Sequence, residues 1–444
     1  MAFSPVVFTF DDMIASLRRA MKKFPDLRTG NNVQYEIMDA ACGAFSVFFT
    51  QCPSFLSHQK LMRQKYGISN AQTLFGMNHI PSDNHIRNLL DHAAPHLLSG
   101  VFEDCFQALQ KSGNLLDYSV GLGKDKNDLL IALDGTTYFS SNTIHCDHCS
   151  TRVKDGEKLF VHSMVTPTLV KPGNSKVISL MPQFITPQDG DTKQDCELKA
   201  SKRWLASSTS KFTTNVTILG DDLYAHEPFC REVLDKGFNF IFVCKPDSHD
   251  TVYEWIRGIT EEIIQDRFDG KKHLIYRYRF VEGVPLKDGK DSLLVNFVEV
   301  TVTERRSGKQ AYHNAFITNH PLSIETLPTV VDCGRARWKI ENENNNTLKT
   351  QGYHLEHNFG HGTKYLAKVL AVMNLLAFLF HTMLELMNGK YQLLRRVFGA
   401  RKTFFNHIRT LLVFHPYKSF ASLMDFMIEG LKKPFPIEDL HYPL

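Results

Sequence analysis

A surplus of charge of one sign is missing from this chain: 51 lysines and arginines face 47 aspartates and glutamates, a net of +4 over 444 residues. Overall charge therefore cannot drive nucleic-acid or membrane binding, and any such surface has to come from local clustering. A dense cysteine framework is missing too. Nine cysteines scattered through long segments exclude a small disulfide-stapled secreted domain and point to a reducing compartment. A second CxxC is absent. The pair Cys146 and Cys149 lies in HCDHC with His145 and His148, and with His162 nearby. Structural zinc takes four ligands, commonly from two such pairs, so the sequence argues against structural zinc.

The start, MAFSPVVFTFDDM, has no basic segment followed by an apolar run and a small-residue cleavage site. A cytoplasmic location is expected. There is no internal repeat and no low-complexity tract. An uninterrupted membrane-length apolar run is lacking as well: KYLAKVLAVMNLLAFLFHTMLEL, 364–386, has the length to cross a bilayer, but Lys368, Asn374, His381 and Glu385 break it. Those groups are costly in lipid, so the segment is expected to be a buried core helix, with no membrane partner.

What is present is enough apolar sequence, 43%, for two or three domains. Residues 1–124 show apolar positions at helical spacing, with Ser82 placed as an N-cap. This region also carries the basic cluster Arg18, Arg19, Lys22, Lys23 and Arg28, and is assigned to DNA binding or dimerisation. From about 127 the period changes to β-rich runs, LLIALDGTTYF, LFVHSMVTPTLV and KVISLMPQFIT. A helix (DCELKASKRWLASS), a strand (NVTILGDD), a helix (HEPFCREVLDKG) and a strand (NFIFVCKP) follow. That is the element order of a ribonuclease H-like fold. The expected class is α+β: a catalytic domain over 125–390 interrupted by a β-rich insertion at about 246–322, then a basic helical region, 391–444.

Three acids stand out in this frame. Asp134 ends the apolar run LLIAL and is followed by Gly135, which lets the chain turn close to a ligand. Asp221 and Asp222 end the next sheet strand after Gly220. Because side chains alternate along an extended chain, Asp221 is the preferred ligand and Asp222 the alternative. Glu341 lies in RARWKIENENNNTLK with Arg337 four residues before it and Lys349 eight after, near one helical face. Asn342, Asn344, Asn345 and Asn346 are poor helix formers, and a site that grips phosphate and water accounts for them better than folding does. Two strand-end aspartates and a helical glutamate are oxygen donors of the kind a two-metal phosphoryl-transfer site needs. Trp338 is expected in the core. Lys199, Lys202 and Arg203 are read as a solvated helix face with phosphate contact as the alternative, and GYHLEHNFGHG, with His354, His357 and His361, as a loop following the catalytic helix.

LDGT, GDDLYA, the β-rich insertion before the glutamate, and RWKIE through Lys349 together resemble a bacterial insertion-sequence transposase of the Asp-Asp-Glu type, in the group with a Tyr-Arg-Glu-Lys signature. The resemblance spans roughly 125–390. It departs in two places: the signature's tyrosine falls at Gly334, and its lysine is expected one residue before Lys349, which leaves Glu343 as an alternative to Glu341. The resemblance implies Asp134, Asp221 and Glu341 as catalytic metal ligands for two Mg²⁺, with Mn²⁺ as a substitute, and Arg337 and Lys349 as DNA phosphate contacts. It further implies a bacterial cytoplasmic enzyme that cuts the ends of a mobile element and joins them to target DNA. Its partners would be double-stranded DNA carrying terminal inverted repeats, target DNA, and a second copy of the chain in a homodimer. The other readings are a ribonuclease H-like nuclease without strand transfer and a non-catalytic DNA-binding derivative.

Overall fold

The computed structural model describes residues 8–29, 33–62, 68–122, 127–187, 196–208, 212–258, 262–269 and 272–432. The first residues of the start read for a leader, and residues 433–444 of the basic C-terminal region, lie outside them. The chain is of mixed α/β type and divides into two compact units. One is helical and gathers 1–114, 144–147 and 347–444; the other holds the strands and comprises 115–143 and 148–346.

In the helical unit, Leu366–Met387 packs against Ile37–Phe49. It is long and apolar enough to cross a membrane, yet its polar interruptions have partners inside the protein. Asn374 Nδ2 donates to the Tyr353 carbonyl at 2.7 Å, and His381 Nδ1 lies 2.6 Å from the Tyr353 hydroxyl. Glu385 pairs with Arg395 at 3.0 Å and Arg401 at 3.3 Å. Burial holds the His381 imidazole far below its ordinary pKa, so it is neutral. Ser82 caps Asp83–Leu90 as the sequence predicts. Part of the N-terminal basic cluster is occupied internally: Arg18 donates to the carbonyls of Phe75 and Gly76, Arg19 pairs with Asp104 at 2.9 Å, and Arg28 with Asp26.

The strand unit contains β1 (Leu129–Ala132), β2 (Gly135–Ser141), β3 (Ser150–Lys154), β4 (Glu157–Val165), β5 (Thr168–Val170), β6 (Ile178–Ser179), β7 (Gln183–Ile185), β8 (Val216–Gly220), β9 (Asn239–Val243), β10 (Glu262–Asp269), β11 (Lys272–Pro285), β12 (Leu294–Glu304) and β13 (Gln310–Thr318). Nine of these form one sheet in the order β10-β11-β12-β13-β9-β8-β1-β5-β6, while β2, β4, β3 and β7 form a second. Each of the three runs read as single strands is therefore divided between two sheets. LLIALDGTTYF breaks at Leu133–Asp134, LFVHSMVTPTLV at Thr166–Pro167, and KVISLMPQFIT at Leu180–Pro182. Proline has no amide hydrogen to continue a ladder, which explains two of the breaks. The first is made at Asp134 itself.

The continuous apolar runs become the sheet centre: β1 and β8 are buried at every position, as expected of parallel strands covered on both faces. Antiparallel β12 instead alternates buried and half-buried positions along much of its length. The β-rich insertion extends the main sheet, because β13 pairs antiparallel with β9. This covers an edge that would otherwise present unpaired backbone groups.

Candidate active site

The strand register brings two of the acids together. β1 and β8 run parallel with Ala132 opposite Leu219, so Asp134 and Asp221, each two residues further on, leave neighbouring strands at the same level. Parallel neighbours lie about 4.8 Å apart. The ladder reaches as far as the Leu133 amide, which donates to the Leu219 carbonyl at 2.9 Å, and both carboxylates project from the strands' carboxyl ends.

Asp221 and Asp222 face different neighbours. Asp221 caps the short turn Asp222–Tyr224, accepting from the Leu223 amide at 2.9 Å, and its charge acts on Asp134. Asp222 accepts from the Lys245 amide at 2.7 Å and from the Ser248 hydroxyl, and so ties down the turn after β9.

Glu341 lies on a π-helical segment, Ile340–Asn345. Such a local widening redirects side chains and is frequent at functional sites. Arg337 Nη1 holds Glu341 Oε1 at 2.7 Å. The guanidinium is itself buried, 5.0 Å from the Trp338 ring, and its Nε has no partner among the described residues. The asparagine run has a structural duty. Buried Asn344 accepts from Ser179 Oγ at 2.6 Å and donates to Asn345, and Asn345 accepts from Thr166 Oγ1 at 2.9 Å. Asn345 Nδ2 then donates to Asp134 Oδ2 at 3.0 Å. The asparagines thus join the segment bearing Glu341 to the strand ends and to the first aspartate.

Glu341 is one of the charges that raise the Asp134 pKa, whereas Glu343 lines a shallow cleft with Trp338, Lys339, Pro172 and Gly173. Trp338 is 47% exposed on that cleft, which corrects its expected place in the core. Gly334, where the signature has tyrosine, is closed to any side chain: a Cβ there would stand 2.7 Å from the Phe316 ring. Lys349 belongs to the helical unit, where it pairs with Glu356 at 2.8 Å. Of the basic residues on Glu197–Ser208, Lys202 pairs with Glu232 at 2.9 Å and Arg203 donates to the Phe184 carbonyl at 2.9 Å. The GYHLEHNFGHG loop ends on Asp91, which accepts from the amides of Thr363, Lys364, Tyr365 and Leu366.

A fourth carboxylate, Glu197, went unnoticed in the sequence. Its Oε1 accepts from the buried Tyr224 hydroxyl at 2.7 Å, and its other oxygen occupies the space where Gly135 lacks a side chain. The only sequence clue was an acid in the first turn of a helix that follows three strands. Burial, then the charges of Glu197 and Glu341, push Asp134 up to about 7, with Arg337 opposing. Burial also raises Glu197, against the Tyr224 hydrogen bond. Carboxylates crowded in this way repel one another, and a divalent cation relieves the repulsion. The all-oxygen donor set suits a hard cation such as Mg²⁺ or Mn²⁺.

A second donor set has different chemistry. In the strand unit, buried Cys149 Sγ lies 3.4 Å from His162 Nε2. In the helical unit, Cys146 on segment 144–147 has its thiol within 4.8 Å of a ring nitrogen of His361. Thiols and imidazoles are zinc-type donors, so the expectation against zinc is not supported. The missing second CxxC misled because histidines supply zinc-type donors without that spacing.

No known protein family matches the chain, and no curated protein sequence does. Among solved structures it is similar to a cryo-EM structure of the piggyBac transposase synaptic complex with hairpin DNA. That similarity covers 96% of this chain and 81% of that one, at 10% identity and a TM-score of 0.41. A likeness this distant carries no functional argument.

Proposed function

We propose that the strand unit is a metal-dependent phosphodiester-processing site of ribonuclease H-like build. The observation that carries this reading is the parallel register of Asp134 with Asp221, with Asn345, on the same π-helical segment as Glu341, donating to Asp134. The order β6-β5-β1-β8-β9 supports the fold assignment, with β5 antiparallel to β1 while β8 and β9 continue parallel.

Within that class, the protein is read as a DNA transposase. Asp134, Asp221 and Glu341 would hold two Mg²⁺, which would supply activation of a water or DNA 3′-hydroxyl and charge stabilisation at the leaving oxygen. Arg337 orients Glu341, and with Lys349 is assigned to DNA phosphates, where a guanidinium and an ammonium suit anionic oxygens. Double-stranded DNA with terminal inverted repeats, target DNA and a second copy of the chain are partners assigned on the sequence resemblance. The test is an assay with paired element ends and a target plasmid in Mg²⁺. Joined product is expected; cleavage without joining would mean a nuclease, and neither would mean a DNA-binding derivative.

Zinc is assigned to Cys149 and His162 of the strand unit, whose thiol sulfur and ring nitrogen lie 3.4 Å apart. Elemental analysis of the purified protein is expected to give about one zinc per chain, lost on Cys149→Ser. Absence of stoichiometric zinc would remove the assignment.

A further inference from the structure

We propose that Glu197 is a fourth carboxylate ligand of the metal site, built into place by the two glycines that mark the aspartate motifs. The inference rests on the metal-dependent reading above and adds to it a residue that the Asp-Asp-Glu pattern does not contain.

Gly135, next to Asp134, has no left-handed backbone to explain it, being absent from the residues with positive φ. What it provides is space: a Cβ would collide with Glu197 Oε2. Its amide also hydrogen-bonds the same carboxylate. Gly220, next to Asp221, serves the same residue at one remove, because a Cβ there would stand 2.7 Å from the Tyr224 ring. Tyr224 is fully buried, with its hydroxyl 2.7 Å from Glu197 Oε1 and 3.1 Å from buried Ser201 Oγ. Both glycines, the tyrosine and the serine thus converge on holding one carboxylate between the two strand ends.

A purely structural residue could donate or accept at this place without charge. Glutamine would satisfy Tyr224, and an apolar side chain would fill the volume. A negative group set among Asp134 and Asp221 in a half-buried crevice is costly unless a cation compensates it. The scaffold therefore holds a charge where charge is unfavourable to the empty fold, which is the arrangement of a ligand.

The test compares Glu197→Gln with Asp134→Asn by Mn²⁺ binding, using calorimetry and the electron paramagnetic resonance signal of free Mn²⁺ on the full chain without DNA. Glutamine keeps the size and the acceptor for Tyr224. Both variants are expected to bind Mn²⁺ at least about 10-fold more weakly than the unmodified protein. If Asp134→Asn weakens binding and Glu197→Gln does not, Glu197 is no ligand while the metal-site reading stands. If the unmodified protein binds no Mn²⁺, both fall together. Should Glu197→Gln fail to fold, Glu197→Asp keeps the charge and withdraws the carboxylate by one methylene. The same loss of affinity is expected, and unchanged affinity would overturn the inference.

Discussion

Asp134→Asn is expected to lower cleavage and joining of DNA ends by at least about 10³-fold, about 4 kcal/mol of transition-state stabilisation, while leaving a folded and, at alkaline pH, more stable protein. The loss follows from removing a charged donor at the point where β1 ends beside β8. The stability gain follows from linkage. Burial and the neighbouring carboxylates raise Asp134 from the ordinary 3.8 to about 7. A raised acid contributes stability that is full below its unfolded pKa and is lost as pH rises through the folded one. The metal-free protein should therefore lose thermal stability between about pH 4 and 7, and asparagine should flatten that slope. A structural aspartate would behave oppositely, its removal costing stability at pH 8. Thermal melts in chelator with parallel cleavage assays separate the two, and an active or destabilised Asp134→Asn would sink the assignment.

The second large effect distinguishes two glutamates two residues apart. Glu341→Gln is expected to match Asp134→Asn in the same assay, at least about 10³-fold down, whereas Glu343→Gln should stay within about twofold, as surface substitutions do. The contrast follows from the π-helical segment. Glu341 is held at 2.7 Å by a buried arginine and acts on the Asp134 charge. Glu343 points to the cleft beside Trp338. Equal losses from both variants would mean that the segment tolerates no change, and the specific role of Glu341 would be withdrawn.

The two strand ends that carry Asp134 and Asp221 are legible in the chain because their signals are local. An apolar run ended by an acid marks a central strand and its end, and two such runs separated by a helix imply parallel neighbours. Asp134 and Asp221 could be chosen on that ground. The asparagine run stands out in the chain for its poor fit to a helix, but only the structure shows that Asn344 and Asn345 hold the glutamate segment to Ser179, Thr166 and Asp134. Trp338 was misjudged because helical spacing does not reveal which face a neighbour covers.

By itself, then, the sequence determined the mixed α/β class and the strand ends that carry the aspartates, since each depends on residues a few positions apart. Tertiary structure alone decided that single runs split between two sheets, that Asn345 of the Glu341-bearing segment bonds Asp134, and that Glu197 bonds Tyr224 beside Gly135. Those outcomes depend on side chains meeting across long loops, on the space left by Gly135 and Gly220, and on where burial makes a charge costly. None of these has a period or spacing to be read along a chain.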